Sequence, residues 1–322
     1  MTVQILLLIL GLALVVVGAD ILVEGSSSIA RRLGVSEFVI GLTRVGFGTS
    51  LPELVVSVLG AVQGNSDIAI GNVVGSNVFN VLLILALSAL VRPIGVTATN
   101  RRRDIPVTIA VTLLLIVLGM SRTIFGTGPA DGLSRLEGGL FVALFAAYMA
   151  FCFLNDDPSE VVSEDSAPSK MIPNLLAVLM VLGGLVGLVI GGRMFVDSAE
   201  AIARMLHVSD KFIAITVLAM GTSLPELVTS IVALAKRRSQ MALGNILGSN
   251  VFNILLILGT SALITPMSFA AISLVDIAAL ALSALLVFTS VFTGRKNSID
   301  RFDGALMLVV FAAYMAWLFI KL

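Results

Sequence analysis

The sequence predicts an all-α polytopic membrane protein of ten transmembrane helices, built as two inverted five-helix repeats with helices 2 and 7 broken. Three observations carry that prediction. The 322 residues are 58% apolar and only 12% charged, with a mean hydropathy of +1.08, too little polar surface for a soluble domain of this length. Ten stretches approach the roughly 20 apolar residues that cross a bilayer. The heptapeptide GTSLPEL stands at residues 48–54 and again at 221–227.

The first span covers residues 3–24 and lacks the charged start and small-residue cleavage pattern of a signal peptide, so it reads as retained. The second, 36–62, holds the first heptapeptide. Pro52 has no amide hydrogen and its ring clashes with the carbonyl of Gly48, so this helix is expected to break near its middle. The third, 68–91, carries GNVVGSNVFN at 71–80, with Ser76 and Asn80 four apart on one face and Gly71 and Gly75 permitting close helix approach. Spans four and five, 105–121 and 136–154, complete the first repeat, residues 1–154. Cys152, the single cysteine, lies between Phe151 and Phe153 and reads as packing. Residues 155–172, with five carboxylates and two prolines, read as a solvated acidic linker.

The second repeat, 173–322, restates the first. A shift of 173 places Pro225 on Pro52, GNILGSNVFN at 244–253 on the earlier decapeptide, Pro266 on Pro93 and Arg204 on Arg31. FAAYMA at 145–150 returns at 311–316 after a seven-residue adjustment. The spans are 173–197, 210–235, 241–264, 272–293 and 303–320. Five is odd, so the second repeat enters the membrane in the opposite sense, as in many secondary transporters whose binding site lies between the halves. With the N-terminus outside, thirteen Lys and Arg fall in cytoplasmic loops (31, 32, 92, 101–103, 170, 236–238, 295, 296, 301) and five outside (122, 135, 204, 211, 321). Both termini are therefore assigned outside and the linker to the cytoplasm.

Composition also excludes. There is no basic domain to bind nucleic acid, and no obligate protein partner is evident. His207 is the only histidine, in a short loop, which argues against a His-based metal site or catalytic triad. With no buried aspartate pair either, the chain is not read as an enzyme. A duplicated broken-helix site fits alternating access better than an open pore.

Each repeat instead assembles oxygen. Carbonyls freed in hydrocarbon are costly unless a cation or water satisfies them. Thr49, Ser50, Thr222 and Ser223 add hydroxyls beside Glu53 and Glu226, and an intramembrane carboxylate is a functional candidate by default. Ser76, Asn80, Ser249 and Asn253 add the facing surface, although a helical hydroxyl often bonds only its own preceding turn. Oxygen-only ligation suits hard cations such as calcium, and the lack of thiolate and imidazole argues against zinc, copper or iron.

The doubled GTSLPE and GSNxxN segments resemble the alpha-repeats of the sodium/calcium exchanger family, in the calcium/cation antiporter superfamily, over nearly the whole chain. The resemblance implies a calcium site at Glu53 and Glu226 with backbone oxygens near Thr49 and Thr222. It implies flanking sodium sites at Ser50, Ser76, Ser223 and Ser249 with carbonyls near Gly46 and Ala219, and Asn80 and Asn253 facing the centre. Spans one and six would slide across the core. The implied partners are calcium, sodium and the lipid of a prokaryotic cell (inner) membrane, with no cofactor. Proton-coupled exchange is the alternative, but its GNxxE context is absent in place of GTSLPE. Several family members carry aspartate where one of Asn80 or Asn253 stands, so potassium co-transport is not expected.

Other polar residues are assigned lesser roles. Arg44, whose repeat mate is Val217, is expected to snorkel or meet a polar group rather than pair with Glu53, nine residues and about 13 Å away. Asp20, Glu24, Arg193, Asp197 and Glu200 read as interfacial anchors or i, i+4 pairs, with gating contacts as the alternative. The glycines of spans one and six serve either packing or sliding.

Overall fold

The computed structural model describes residues 1–126, 130–156, 172–206, 219–292 and 298–321. Most of the acidic linker, His207, Lys170, Lys211, Arg295, Lys296 and the start of span seven lie outside the described residues.

Two long helices, α1 (Thr2–Leu33) and α8 (Asn174–Met205), pack against each other. At 32 residues each they are about 48 Å long, so they outrun the roughly 30 Å hydrocarbon core. Both exceed the spans expected from hydropathy, and Arg31 and Arg32 sit in the last turn of α1 rather than in a loop. Cations there complement the carbonyl end of the helix, and Gly34 then stops it with a left-handed φ of 62°. Along the seam, a Cβ on Gly11 would stand 2.8 Å from the Gly191 carbonyl oxygen, and one on Gly18 2.8 Å from that of Gly184. These glycines let two backbones touch, so they join α1 to α8 and do not face the rest of the molecule.

The second span is bent, as expected. Helix α2 (Glu37–Thr49) meets α3 (Leu51–Val62) at 51°. Then come α4 (Ser66–Val91), α5 (Ile105–Gly119), the short α6 (Ser121–Phe125) and α7 (Arg135–Leu154). After α8 the described chain resumes with α9 (Ala219–Thr222), α10 (Leu224–Ala235), α11 (Ser239–Ile264), α12 (Leu274–Ser290) and α13 (Arg301–Lys321). Six described helices are long and apolar enough to cross a membrane, or seven with the bent pair as one. Helices α10 and α12, at 12 and 17 residues, fall short of that length.

Helices α4 and α11 form the centre, with 78% and 83% of their apolar stretches inside the molecule, against 22% for α7 and 17% for α13. The outer helices keep large apolar side chains such as Leu136, Leu154 and Phe302 exposed, which a bilayer accommodates and water would not. Two small antiparallel ribbons tie the halves together at opposite ends. Strand β1 (Ile94–Gly95) pairs with β4 (Ser298–Ile299), and β2 (Gly132–Leu133) with β3 (Met267–Ser268). At the β1–β4 end, Gln240 donates to the Gly95 carbonyl, Arg103 to that of Asn155, Arg32 to that of Ile172, and Arg238 pairs with Glu37. This is the arginine-rich end. At the β2–β3 end, Arg135 donates to the Ile264 carbonyl and Thr265 to that of Ala61.

Candidate site at the two helix breaks

The breaks lie at serines, two residues before the prolines held responsible for them. Ser50 has φ −84° and ψ 8°, and Ser223 φ −89° and ψ 4°. Pro52 and Pro225 then occupy the first turn of α3 and α10, where a missing amide hydrogen costs nothing and the fixed φ suits a helix start. Proline thus begins the second half-helix. Glu53 and Glu226 consequently sit in a first turn, where the exposed amide dipoles favour a negative charge.

Both carboxylates are 1% exposed. Each is gripped by the serine of the other break. Ser50 Oγ donates to Glu226 Oε1 at 2.9 Å, and Ser223 Oγ to Glu53 Oε1 at 3.4 Å. The central helices brace the breaks in the same duplicated way. Asn72 Nδ2 donates to the Glu53 carbonyl at 3.1 Å and to Ser57 Oγ at 2.9 Å. Asn245 Nδ2 donates to the Glu226 carbonyl at 3.3 Å and to Ser230 Oγ at 2.9 Å. Between α4 and α11, Asn80 Nδ2 reaches Asn250 Oδ1 at 3.0 Å and Asn253 Nδ2 reaches Asn77 Oδ1 at 3.4 Å. Nearly every bond has its mate 173 positions away.

Local helix geometry aims the asparagines. Asn80 opens a π-helical turn (Asn80–Leu85), and Asn253 lies in another (Phe252–Leu258); such turns widen the helix and cluster at functional sites. A third (Gly41–Val45) precedes the first break.

The sequence-derived candidates fall into three groups. Thr49, Ser50, Glu53, Asn80, Ser223, Glu226 and Asn253 are drawn together, with Thr49 Oγ1 bonded to the Gly46 carbonyl at 3.3 Å and to Asn245 Oδ1 at 3.1 Å. Ser76 and Ser249 are buried one turn before the asparagines, and Ser249 Oγ and Thr222 Oγ1 have no hydrogen-bond partner among the described residues. Ala219 opens α9, and its side chain lies outside the described set. Asn72, Asn77, Asn245 and Asn250 were not foreseen as contributors. Their sequence signal is the duplicated GNxxGSNxxN, which holds three asparagines per copy.

What remains unbonded is mostly oxygen. Glu53 Oε2, Glu226 Oε2, Asn80 Oδ1, Asn253 Oδ1, Thr222 Oγ1 and Ser249 Oγ are buried and have no hydrogen-bond partner among the described residues. A buried polar atom left unpaired costs about 1–3 kcal/mol, so oxygens placed like this suit a cation or water that draws on them. Two carboxylate, two amide and two hydroxyl oxygens are the hard ligands calcium takes in groups of six to eight. No group of three or more His, Cys, Asp or Glu exists among the described residues. Of the six unbonded oxygens, four are neutral and two belong to carboxylates.

Comparison with known proteins places the chain. A model described as sodium/calcium exchanger protein matches residues 3–154 and 176–320. The putative antiporter CaxA of Alkalimonas amylolytica is 36% identical over 329 residues, covering 99% of each chain. The sodium/calcium exchanger MaX1 of Methanosarcina acetivorans is 34% identical over 350 residues, again covering 99% of each. Among solved structures, the sodium-calcium exchanger NCX_Mj superposes with a TM-score of 0.82 at 34% identity, covering 98% of both chains.

Proposed function

The chain belongs to the sodium/calcium exchanger protein family, and from that premise we propose that it exchanges sodium for calcium across a prokaryotic cell membrane by alternating access. The observation that carries the reading is the pair of buried carboxylates, each held by the other repeat's serine and surrounded by unbonded oxygens. Glu53 and Glu226 neutralise one calcium ion or share their charge among sodium ions at Ser50, Ser76, Ser223 and Ser249. Asn80, Asn253, Thr49 and Thr222, with carbonyls near Gly46 and Ala219, complete the coordination.

In this reading the chain forms ten spans in two inverted repeats, residues 1–154 and 173–322, joined by the linker 155–172. The arginine-rich end is cytoplasmic and both termini lie outside, as the Lys and Arg distribution favours. The α1–α8 pair, zipped through its glycines, moves as one body over the core and opens the site to one side at a time. Site ligands on both repeats are what such a motion requires, because the ion must stay bound to a frame that does not move.

The test is calcium-45 uptake into proteoliposomes loaded with sodium, against vesicles loaded with choline or given only a pH gradient. Uptake that needs internal sodium, and is lost in Glu53→Gln and Glu226→Gln, is the expected result. Uptake driven by the pH gradient alone would replace sodium coupling with proton coupling.

A further inference from the structure

The two ends of the α1–α8 pair are not held alike. At the arginine-rich end, Lys236, which follows α10, reaches Asp20 Oδ1 at 2.8 Å and Glu24 Oε1 at 2.9 Å on α1. These carboxylates are thus neither simple anchors nor i, i+4 pairs; they bridge the mobile pair to the core. Their repeat mates break the pattern. Glu24 corresponds to Asp197 and Asp20 to Arg193, while Lys236 corresponds to the neutral Gln63. Arg193 and Asp197 are exposed, and among the described residues neither makes an ion pair. Burial follows the same division. Residues 25–30 of α1 are all buried, whereas of their mates on α8, residues 198–203, Ser198 is buried and the other five are half-buried. One turn beyond each carboxylate, Thr229 is fully buried and its mate Val56 is partly exposed.

We propose that Lys236, Asp20 and Glu24 form a one-sided latch that holds the α1–α8 pair closed over the arginine-rich end, so that the resting protein presents its site to the opposite side. The reading rests on the alternating motion given above. Its logic is that of two states with unequal contacts. In one, a lysine of the core meets two carboxylates of the moving pair; in the other, the equivalent lysine is a glutamine and the equivalent of Asp20 is an arginine. An ion pair formed in only one of two states shifts the population between them by its own free energy, and nothing symmetric cancels it.

The experiment reads the state without transport. In a Cys152→Ala background, cysteine replaces Thr229 or Val56 in proteoliposomes without ion gradients, and a membrane-impermeant thiol reagent is applied from each side. In K236Q, labelling of T229C from the arginine-rich side is expected to rise roughly three- to ten-fold, as for a partly exposed ion pair lost from the major state, while V56C labelling does not rise. The charge-swapped K236E/D20K/E24K is expected to return T229C to its slow rate, which a merely structural lysine would not allow. The mirror variant Q63K/R193E is expected to slow V56C. Unchanged T229C labelling in K236Q, or a parallel rise at both cysteines, overturns the latch. Because no ion flux is measured, a correct labelling pattern without sodium-driven calcium uptake would sink the exchange reading and leave the latch standing.

Discussion

The centre of the molecule and its two ends follow opposite rules. At the centre, Ser50 and Glu226 are matched by Ser223 and Glu53, and Asn72 at one break by Asn245 at the other. At the ends, Lys236 faces two carboxylates while its mate is Gln63. A site that must serve both faces of a membrane gains from equivalent halves, because each arrangement of the frame then offers the same ligands. A device that chooses between faces requires inequivalence, since equal contacts in both states shift nothing. Duplication supplied the first, and divergence at a few terminal positions is enough for the second.

The largest effect should come from breaking the centre. Glu53→Gln and Glu226→Gln keep the shape and remove one of two charges, and each is expected to reduce sodium-dependent calcium uptake by at least about 100-fold, the order found when a single preorganised electrostatic contact is lost. Equivalence makes the prediction sharper than loss alone: the two variants should fail equally. A mutant retaining most of the uptake while its mate is inactive would show that only one repeat carries the ion.

Next in size are the glycines that join α1 to α8. A methyl on Gly18 meets the Gly184 backbone at 2.8 Å, and one on Gly184 meets Gly18 at 2.7 Å. Neither contact can be relieved by turning a side chain. Gly18→Ala and Gly184→Ala should each separate the helices and cost about 1–3 kcal/mol, read as a lower melting temperature in detergent. If the pair instead slid along its glycine face, these variants would melt normally and lose only transport rate.

The braces behind the breaks come third. Asn72→Ala takes a second donor from the Glu53 carbonyl and a partner from Ser57 Oγ, and Asn245→Ala does the same to the Glu226 carbonyl and Ser230 Oγ. Two buried groups lose a partner in each, so a penalty of about 1–3 kcal/mol is expected, appearing as a weaker apparent calcium affinity with the protein still folded. Asn245→Ala should be the worse, because Asn245 also accepts from Thr49 of the other repeat at 3.1 Å. Calcium titration of both variants decides this.

The limits of sequence reading follow the range of the interaction. Glu53 in an apolar run, Pro52 beside it and their exact duplication are local signals, and they located the breaks to within two residues. Hydropathy cut α1 short at Glu24 because it scores side chains one at a time; the helix continues through Ser26, Ser27 and Ser28, which are buried by packing. The π turns at Asn80 and Phe252 carry no residue signature, since they answer to how α4 and α11 meet. Lys236 and Asp20 are 216 positions apart, and no periodicity joins them. Arg44, expected to snorkel or meet a polar group rather than pair with Glu53, is exposed, and among the described residues it makes no ion pair with Glu53. Asparagine misled in the other direction, because inside a helix it reads as a small polar residue until its partner on another helix is known.

The smallest effect should come from an ion pair that resembles the latch in chemistry and differs from it in topology. Arg204 and Glu200 pair at 2.8 Å near the end of α8, one helical turn apart and partly exposed. Such pairs contribute about 0.3–0.5 kcal/mol, so Glu200→Gln should lower the melting temperature barely measurably. Its effect on the state of the protein should be nil. Both partners ride on the same helix, so the bond survives wherever α8 stands and cannot favour one position over another. Lys236 and Glu24, at 2.9 Å, form a bond of much the same length, but in the proposed motion one partner moves and the other stays. Thiol labelling at T229C should therefore be unchanged in E200Q and faster in K236Q, and a rise in both would mean that surface charge near the pair, rather than a bond between moving and fixed parts, sets which side the site faces.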